Sequence, residues 1–133
     1  MILRGKNVGL LVLAACAVAA AGCGSTKSDR DQIRSTIEAS QRAYAAGDGS
    51  AYCKLLVDAA RKQLTSGRQF GCTSRVERDT KSLDEASRTR IRSARITTMD
   101  ISGDTATVTT TAPGPERHIE LVKVVHGWKI HQP

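Results

Sequence analysis

The sequence predicts an α+β fold in which helices come first and an antiparallel sheet follows. Up to about residue 90 the apolar residues recur at helical spacing, whereas the later segments are rich in Ile, Val and Thr. Turn signals such as Ser102-Gly103-Asp104 separate these later segments. Helices followed by a strand meander are typical of a helical layer that covers one face of a curved sheet.

Three helices are predicted in the first part of the chain. The first covers about 30–46, begins at a cap formed by Ser28 or Asp29, and ends at Gly47-Asp48-Gly49. The second covers about 51–64 after a Ser50 cap, and a more polar third helix covers about 72–86. The residues expected on their buried faces are Ile33, Ile37, Ser40, Tyr44, Tyr52, Cys53, Leu56, Val57, Ala60, Leu64, Cys72, Val76 and Leu83.

Four strands are predicted in the second part. The first two cover about 94–101 and 105–112 and form a hairpin. Pro113-Gly114-Pro115 separates them from a third strand over about 116–125. His126-Gly127 then leads to a short closing strand at 128–130, in which Trp128 and Ile130 face the same side.

The first 22 residues differ from the rest of the 133-residue chain and predict a signal peptide. Arg4 and Lys6 provide a basic start, an apolar run over 8–21 follows, and small residues precede Cys23. The apolar run is shorter than the roughly 20 residues that a spanning helix needs. We therefore expect no anchor helix in the mature chain.

The segment Ala20-Ala21-Gly22-Cys23 resembles the bacterial lipobox, in which small residues precede a cysteine that receives a diacylglyceryl group. The resemblance implies cleavage before Cys23 and attachment to the extracytoplasmic face of the cell membrane through lipid on that residue. Two alternatives stay open: a second match that ends at Cys16, and an ordinary cleaved signal followed by a free cysteine. The expected organisation is a signal peptide at 1–22, a lipidated tether at 23–30 and one domain at 31–133.

The charge balance favours a membrane surface over nucleic acid as a partner. The formal net charge is +7, and a basic domain tethered near an anionic leaflet is attracted to it. Export, the low aromatic content of 3% and the acidic residues mixed among the basic ones all argue against nucleic-acid binding.

The four cysteines divide into two groups. Cys16 leaves with the signal peptide and Cys23 takes the lipid, so Cys53 and Cys72 remain in the exported domain. An even pair outside the reducing cytosol predicts a disulfide. A metal site is the rival interpretation, but neither cysteine has a neighbouring cysteine or histidine at ligand spacing.

Three segments resemble NTF2-like (SnoaL-like) domains, and the resemblance extends over about 31–131. They are Tyr44-Ala45-Ala46-Gly47-Asp48 with Tyr52-Cys53 and Leu55-Leu56, then 101–108, then Leu121-Val122-Lys123 with Gly127-Trp128-Lys129-Ile130. Small actinobacterial lipoproteins that carry such a domain and a helix-linking cysteine pair are similar to this chain. The resemblance implies a cone of helices packed on a curved antiparallel sheet. Such domains often dimerise through the sheet, which makes a homodimer one of the expected partners.

Enzymes with this fold bury a carboxylate or a histidine inside the cone. The candidates for pocket residues here are Tyr44, Asp100, His118 and Trp128, yet no matched motif contains a catalytic residue. Asp100 is expected to face solvent if Ile101 is in the core. We therefore expect a partner protein or small ligand to bind without catalysis or a cofactor, and a ketosteroid-isomerase-like activity is the alternative.

The histidines and an arginine run are two further groups with possible binding roles. His118, His126 and His131 lack the short helical spacings of zinc sites, so no metal is expected. Arg88, Arg90, Arg92 and Arg95 form a basic run that enters the first strand. This run is interpreted as a solvated face or as a surface that binds anionic lipid or wall polymer.

Overall fold

The computed structural model describes residues 27–66, 71–111 and 116–133. Five helices precede four strands in this part of the chain. They are α1 (Asp29–Ala46), α2 (Gly49–Lys54), α3 (Asp58–Thr65), α4 (Cys72–Lys81), α5 (Glu85–Ser93), β1 (Ile96–Ser102), β2 (Thr105–Thr110), β3 (Arg117–Val124) and β4 (Gly127–Gln132). The predicted α+β order is therefore confirmed. The signal peptide and Cys23 lie outside the described residues.

The four strands form one antiparallel sheet in the order β1-β2-β3-β4, so each strand pairs with its neighbour in the chain. The inner face of the sheet packs on α1. The buried cluster between them and around them consists of Ile33, Ile37, Leu56, Ala60, Met99, Ala106, Val108, Leu121, Trp128 and Ile130. Trp128 and Ile130 share the inner face, as predicted.

The first helix matches its prediction closely. Ser28 is its N-cap and accepts a hydrogen bond from the backbone N–H of Asp31. Gly47 ends it with a φ of 72°, a left-handed conformation that glycine adopts without strain. Residues 29 and 30, assigned to the tether by the sequence, are the first two residues of α1.

The single second helix predicted over 51–64 is wrong, because the chain divides it into α2 and α3. Between them the backbone extends and bonds to the edge strand β4: Val57 N–H donates to the carbonyl of Ile130, and Ile130 N–H donates to the carbonyl of Leu55, both at 2.9 Å. The Ser50 cap is also wrong. Asp48 is the N-cap, and its carboxylate accepts from Ala51 N–H at 2.9 Å.

The third predicted helix, over 72–86, ends early at Lys81, and Asp84 then starts a separate helix, α5, most of which lies beyond the predicted end. Its carboxylate accepts a hydrogen bond from Ser87 N–H at 2.7 Å, which satisfies the first turn of α5. The arginine run therefore lies on α5 and the connection behind it. The run still leads into the first strand, because Arg95 directly precedes β1, but that strand begins at Ile96 and not at the predicted Ala94.

Candidate ligand-binding groove

A groove of about 660 Å³ opens where the N-terminal half of α1, the end of α2 and the β3–β4 hairpin meet. Its lining is partly apolar and carries several cationic side chains. The lining residues are Lys27, Gln32, Ser35, Thr36, Lys54, Leu55, Val124, Val125, His126, Gly127, Trp128 and Lys129. The volume is within the range of small-molecule sites.

Trp128 forms the buried base of this groove and is held by the first turn of α1. Its indole Nε1–H donates to Asp29 Oδ1 at 3.0 Å. Lys123 Nζ lies 3.0 Å from the same carboxylate oxygen and 5.9 Å from the centre of the indole ring. The indole thus contacts a carboxylate and an ammonium group that are paired with each other.

The electrostatics of this contact favour an ionised Asp29. The hydrogen bond from Trp128, followed by the hydrogen bond from Lys123, lowers the pKa of Asp29 below its ordinary value of 3.8. The carboxylate and Lys123 compensate each other, so this pair adds no net charge to the groove.

The remaining charges around the groove are positive. Lys27, Lys54 and Lys129 line it, and no aspartate or glutamate is among its lining residues. None of these three lysines forms an ion pair with a carboxylate within 27–66, 71–111 and 116–133. The groove is therefore suited to an anionic ligand that also has an apolar part.

The disulfide predicted from the sequence, Cys53–Cys72, fixes the α2 side of the groove. It joins α2 to the first residue of α4, with 6.2 Å between the two Cα atoms. Lys54 and Leu55, which line the groove, directly follow Cys53. Gly49 allows this close packing, because a Cβ there would lie 2.3 Å from the carbonyl oxygen of Thr73 on α4.

Tyr44 does not lie in this groove. Fifteen residues of helix separate it from Asp29, or about 22 Å along the axis of α1. There it is half-buried and packs edge-to-face on Tyr52, with 5.4 Å between the ring centres. Burial is the main cause that raises the pKa of both tyrosines above the ordinary value of 10.0.

Asp100 and His118 lie on the outer face of the sheet, so their prediction as pocket residues is wrong. Asp100 pairs with Thr107 and is exposed, whereas its neighbour Met99 is buried on the inner face. His118 is exposed and shares a 3.1 Å hydrogen bond with the hydroxyl of Thr109 on β2. Of the four predicted pocket residues, the groove contains only Trp128.

Arg88 has a structural role in place of the predicted surface role. Its guanidinium donates to the carbonyls of Leu83 at 3.2 Å, Thr80 at 2.8 Å, and Ala45. It thus joins the ends of α1 and α4 to α5. Arg92 forms an ion pair with Glu85 on the same helix.

Arg90, Arg92 and Arg95 are the exposed arginines of the run, and Arg88 is partly buried. Arg90 donates to the hydroxyl of Ser87 at 3.0 Å. The backbone N–H of Arg95 donates to the hydroxyl of Thr111 at 3.0 Å. The four arginines therefore do not act as one surface, because Arg88 is committed to the packing of three helices.

The described residues contain neither a membrane-spanning helix nor a cluster of metal ligands. No helix among them is long and apolar enough to span a bilayer. No three His, Cys, Asp or Glu side chains within this part of the chain are grouped closely enough to hold a metal ion.

Comparison with known proteins yields one structural similarity. Neither protein-family models nor curated proteins match the sequence. Among solved structures, the fold is similar to that of an NTF2-like protein of unknown function from Shewanella oneidensis MR-1, with a TM-score of 0.46 and 16% sequence identity. The similarity covers 77% of this chain and 94% of that chain. A similarity at this level indicates nothing about a ligand or an activity.

Proposed function

We propose that this chain is a lipoprotein held on the extracytoplasmic face of the cell membrane, whose domain binds a ligand in the groove without catalysing a reaction. The ligand is a small molecule or an exposed part of a partner molecule. The observation that carries the binding role is the groove itself, which joins an apolar base at Trp128 to a cationic rim. Lipid on Cys23 is the proposed anchor.

The packing of the domain supports binding rather than catalysis. Aliphatic side chains such as Ile33, Ile37 and Leu121 fill the space between α1 and the sheet. The carboxylate and imidazole candidates, Asp100 and His118, are exposed on the opposite face. An isomerase-like mechanism needs such a group inside an apolar cavity, where desolvation would tune its pKa.

The anchor is tested by metabolic labelling with palmitate. Cys23→Ala should abolish the label and release the protein from the membrane fraction. Cys16→Ala is the matched control, because it removes the cysteine of the alternative lipobox and should leave labelling unchanged. Label that follows Cys16, or no label in the unmodified protein, would contradict the proposed anchor.

The binding site is tested by the fluorescence of Trp128, which is the one tryptophan of the sequence. An anionic amphiphile such as a fatty acid should shift its emission in a saturable manner. Lys54→Gln should weaken this binding, whereas Lys62→Gln, at an exposed lysine outside the groove, should not. Equal effects of the two substitutions would contradict binding in the groove.

A further inference from the structure

We infer that the groove receives the phosphate headgroups of anionic membrane lipids, so that this end of the domain lies against the bilayer. The inference rests on the proposed function and names the ligand class of the same site. It also assigns the orientation of the domain on the membrane, which the anchor alone does not determine.

The position of the tether is the first argument. Lys27 lines the groove and lies four residues after Cys23. Four residues span at most about 14 Å, so a lipid on Cys23 would hold the groove within that distance of the headgroups. The side chain of Gln32 binds the carbonyl of Lys27 at 2.7 Å, which ties the incoming chain to α1 beside the groove.

The charge of the groove is the second argument. Its three lysines have no carboxylate partner among the described residues, and anionic headgroups would supply the missing negative charge. Electrostatic attraction in salt solution declines over about 8 Å, so it acts only on charges held near the surface. The short tether allows Lys27 to come within that range, and Lys54 and Lys129 line the same groove.

The exposed apolar residue at the rim is the third argument. Val125 lies in the β3–β4 turn with 93% of its surface exposed. It borders the groove beside His126. An apolar side chain among cationic ones is the pattern by which proteins enter the interface between headgroups and acyl chains. The hairpin tip therefore provides the apolar part of the contact.

The arginine run is less suited to this contact than the groove. Arg88 is bonded to the carbonyl of Ala45, sixteen residues along α1 from Asp29, or about 24 Å from the tether end of the helix. Its guanidinium is occupied by carbonyl oxygens, and Arg92 is paired with Glu85. The lysine groove has unpaired charges and lies where the chain enters.

The test is lysine footprinting on the full lipidated protein in phosphatidylcholine vesicles with and without about 30 mol % phosphatidylglycerol. Acetylation of Lys54 and Lys129 should slow by about fivefold in the anionic vesicles, the effect expected for one headgroup contact at each lysine. Lys62 and Lys81, which do not line the groove, are the internal controls and should react equally in both vesicles.

A second measurement uses quenching of Trp128 by brominated phosphatidylglycerol. Quenching should decrease in the variant Lys54→Gln/Lys129→Gln and persist in the matched variant Lys62→Gln/Lys81→Gln. Unchanged thermal unfolding midpoints establish that both variants are folded. Equal quenching in the two variants would overturn the inference.

The outcomes separate this inference from the proposed anchor. A lipidated protein whose groove lysines react equally in both vesicles keeps the anchor and overturns the inference. If the natural protein carries no lipid on Cys23 and its groove lysines are nevertheless protected on anionic vesicles, the anchor is overturned and the inference is supported. Equal protection by free glycerol phosphate in neutral vesicles would overturn the lipid assignment in favour of a soluble anion.

Discussion

The indole N–H of Trp128 donates a hydrogen bond to the carboxylate of Asp29 at 3.0 Å, although the two residues are 99 positions apart in the chain. The contact joins the first turn of α1 to the last hairpin, and Lys123 adds an ion pair to the same carboxylate. The point where the chain enters the domain is therefore bonded directly to the base of the groove.

Asp29→Asn is expected to lower the stability of the fold at neutral pH and to reduce its sensitivity to acid. Because its pKa is lowered in the folded state, the carboxylate stabilises the fold above the ordinary value of 3.8, and this contribution is lost as the pH falls through the lowered value. Thermal unfolding midpoints measured between about pH 7 and about pH 3 check this expectation.

Asp100→Asn is the matched control for that measurement, because Asp100 is an exposed carboxylate on the outer face of the sheet. Its unfolding midpoint should follow the unmodified protein across the pH range. If the two variants lose the same stability at every pH, the contact between Asp29 and Trp128 does not contribute as described.

The sequence predicts the order of elements because each element has a strong local signal. The 3.6-residue period of Ile33 and Ile37, the glycine at 47 and the threonine-rich hairpin all act within a few residues of one another. The prediction from sequence fails where a contact with a residue distant in the chain determines the local structure. Residues 55–57 fit a helical pattern, but the helix is interrupted there because Leu55 and Val57 form backbone hydrogen bonds with Ile130 on the edge strand β4.

The candidate site was less predictable than the fold for the same reason. Residue type singles out Trp128 and the disulfide pair. The alternation of Asp100 with Ile101 predicts an exposed Asp100, as observed, and this is the reason that Asp100 fails as a pocket residue. The lysines of the groove come from the tether, α2 and β4, so no local spacing connects them. Arg88 was misassigned for the opposite reason. Its neighbours in the sequence are also arginines, which predicts a surface role, whereas its guanidinium donates to three backbone carbonyls.

Loss of the disulfide is expected to destabilise the domain by about 3 kcal/mol in the chain-entropy model. Cys53 and Cys72 are 19 residues apart, so the bond restricts a loop of moderate length in the unfolded chain. Urea unfolding with and without reductant measures the effect. The double variant Cys53→Ala/Cys72→Ala should show no further loss with reductant, and a reductant effect that persists in it would contradict the assignment.

Gly49→Ala is expected to cost about 1–3 kcal/mol of folding free energy, because the added methyl group would overlap the backbone of α4. The Cβ position lies 2.3 Å from the carbonyl oxygen of Thr73, and backbone cannot move aside as a flexible side chain can. Gly71→Ala is the matched control, since nothing lies within 4 Å of its Cβ position. Its cost should stay below about 1 kcal/mol. Equal losses in the two variants would show that α2 and α4 are not in close contact.

Arg88→Ala is expected to destabilise the fold by about 2–3 kcal/mol, because the carbonyls of Leu83, Ala45 and Thr80 lose a charged donor. Of the three, the Thr80 carbonyl keeps a 3.1 Å hydrogen bond from the backbone N–H of Leu83. Arg90→Ala removes an arginine from the same helix that is exposed, and it should cost less than about 0.5 kcal/mol. Both values come from urea unfolding. If Arg90→Ala is as costly as Arg88→Ala, the effect reflects the charge of α5 and not these hydrogen bonds.

The tyrosine pair is expected to titrate above pH 10 in the folded protein and near 10.0 after unfolding. Burial favours the neutral phenol, so it raises the pKa of Tyr44 and of Tyr52. The two residues are the only tyrosines of the sequence, which makes the ultraviolet absorbance of tyrosinate a direct probe of this pair. Tyr44→Phe and Tyr52→Phe each leave one phenol, so the two variants show which tyrosine is responsible for each ionisation step in the absorbance titration.

The same shift makes the fold sensitive to alkali. The neutral tyrosines contribute their full stabilisation of the fold below about pH 10. This contribution is lost as the pH rises through their raised pKa values in the folded protein, because the unfolded chain releases these protons more readily. Tyr52→Phe cannot ionise and should therefore lose less stability between about pH 9 and about pH 11 than the unmodified protein. Titration midpoints of the folded protein at or below pH 10.0 would mean that the two phenols are hydrated. The described packing of Tyr44 on Tyr52 would then be wrong.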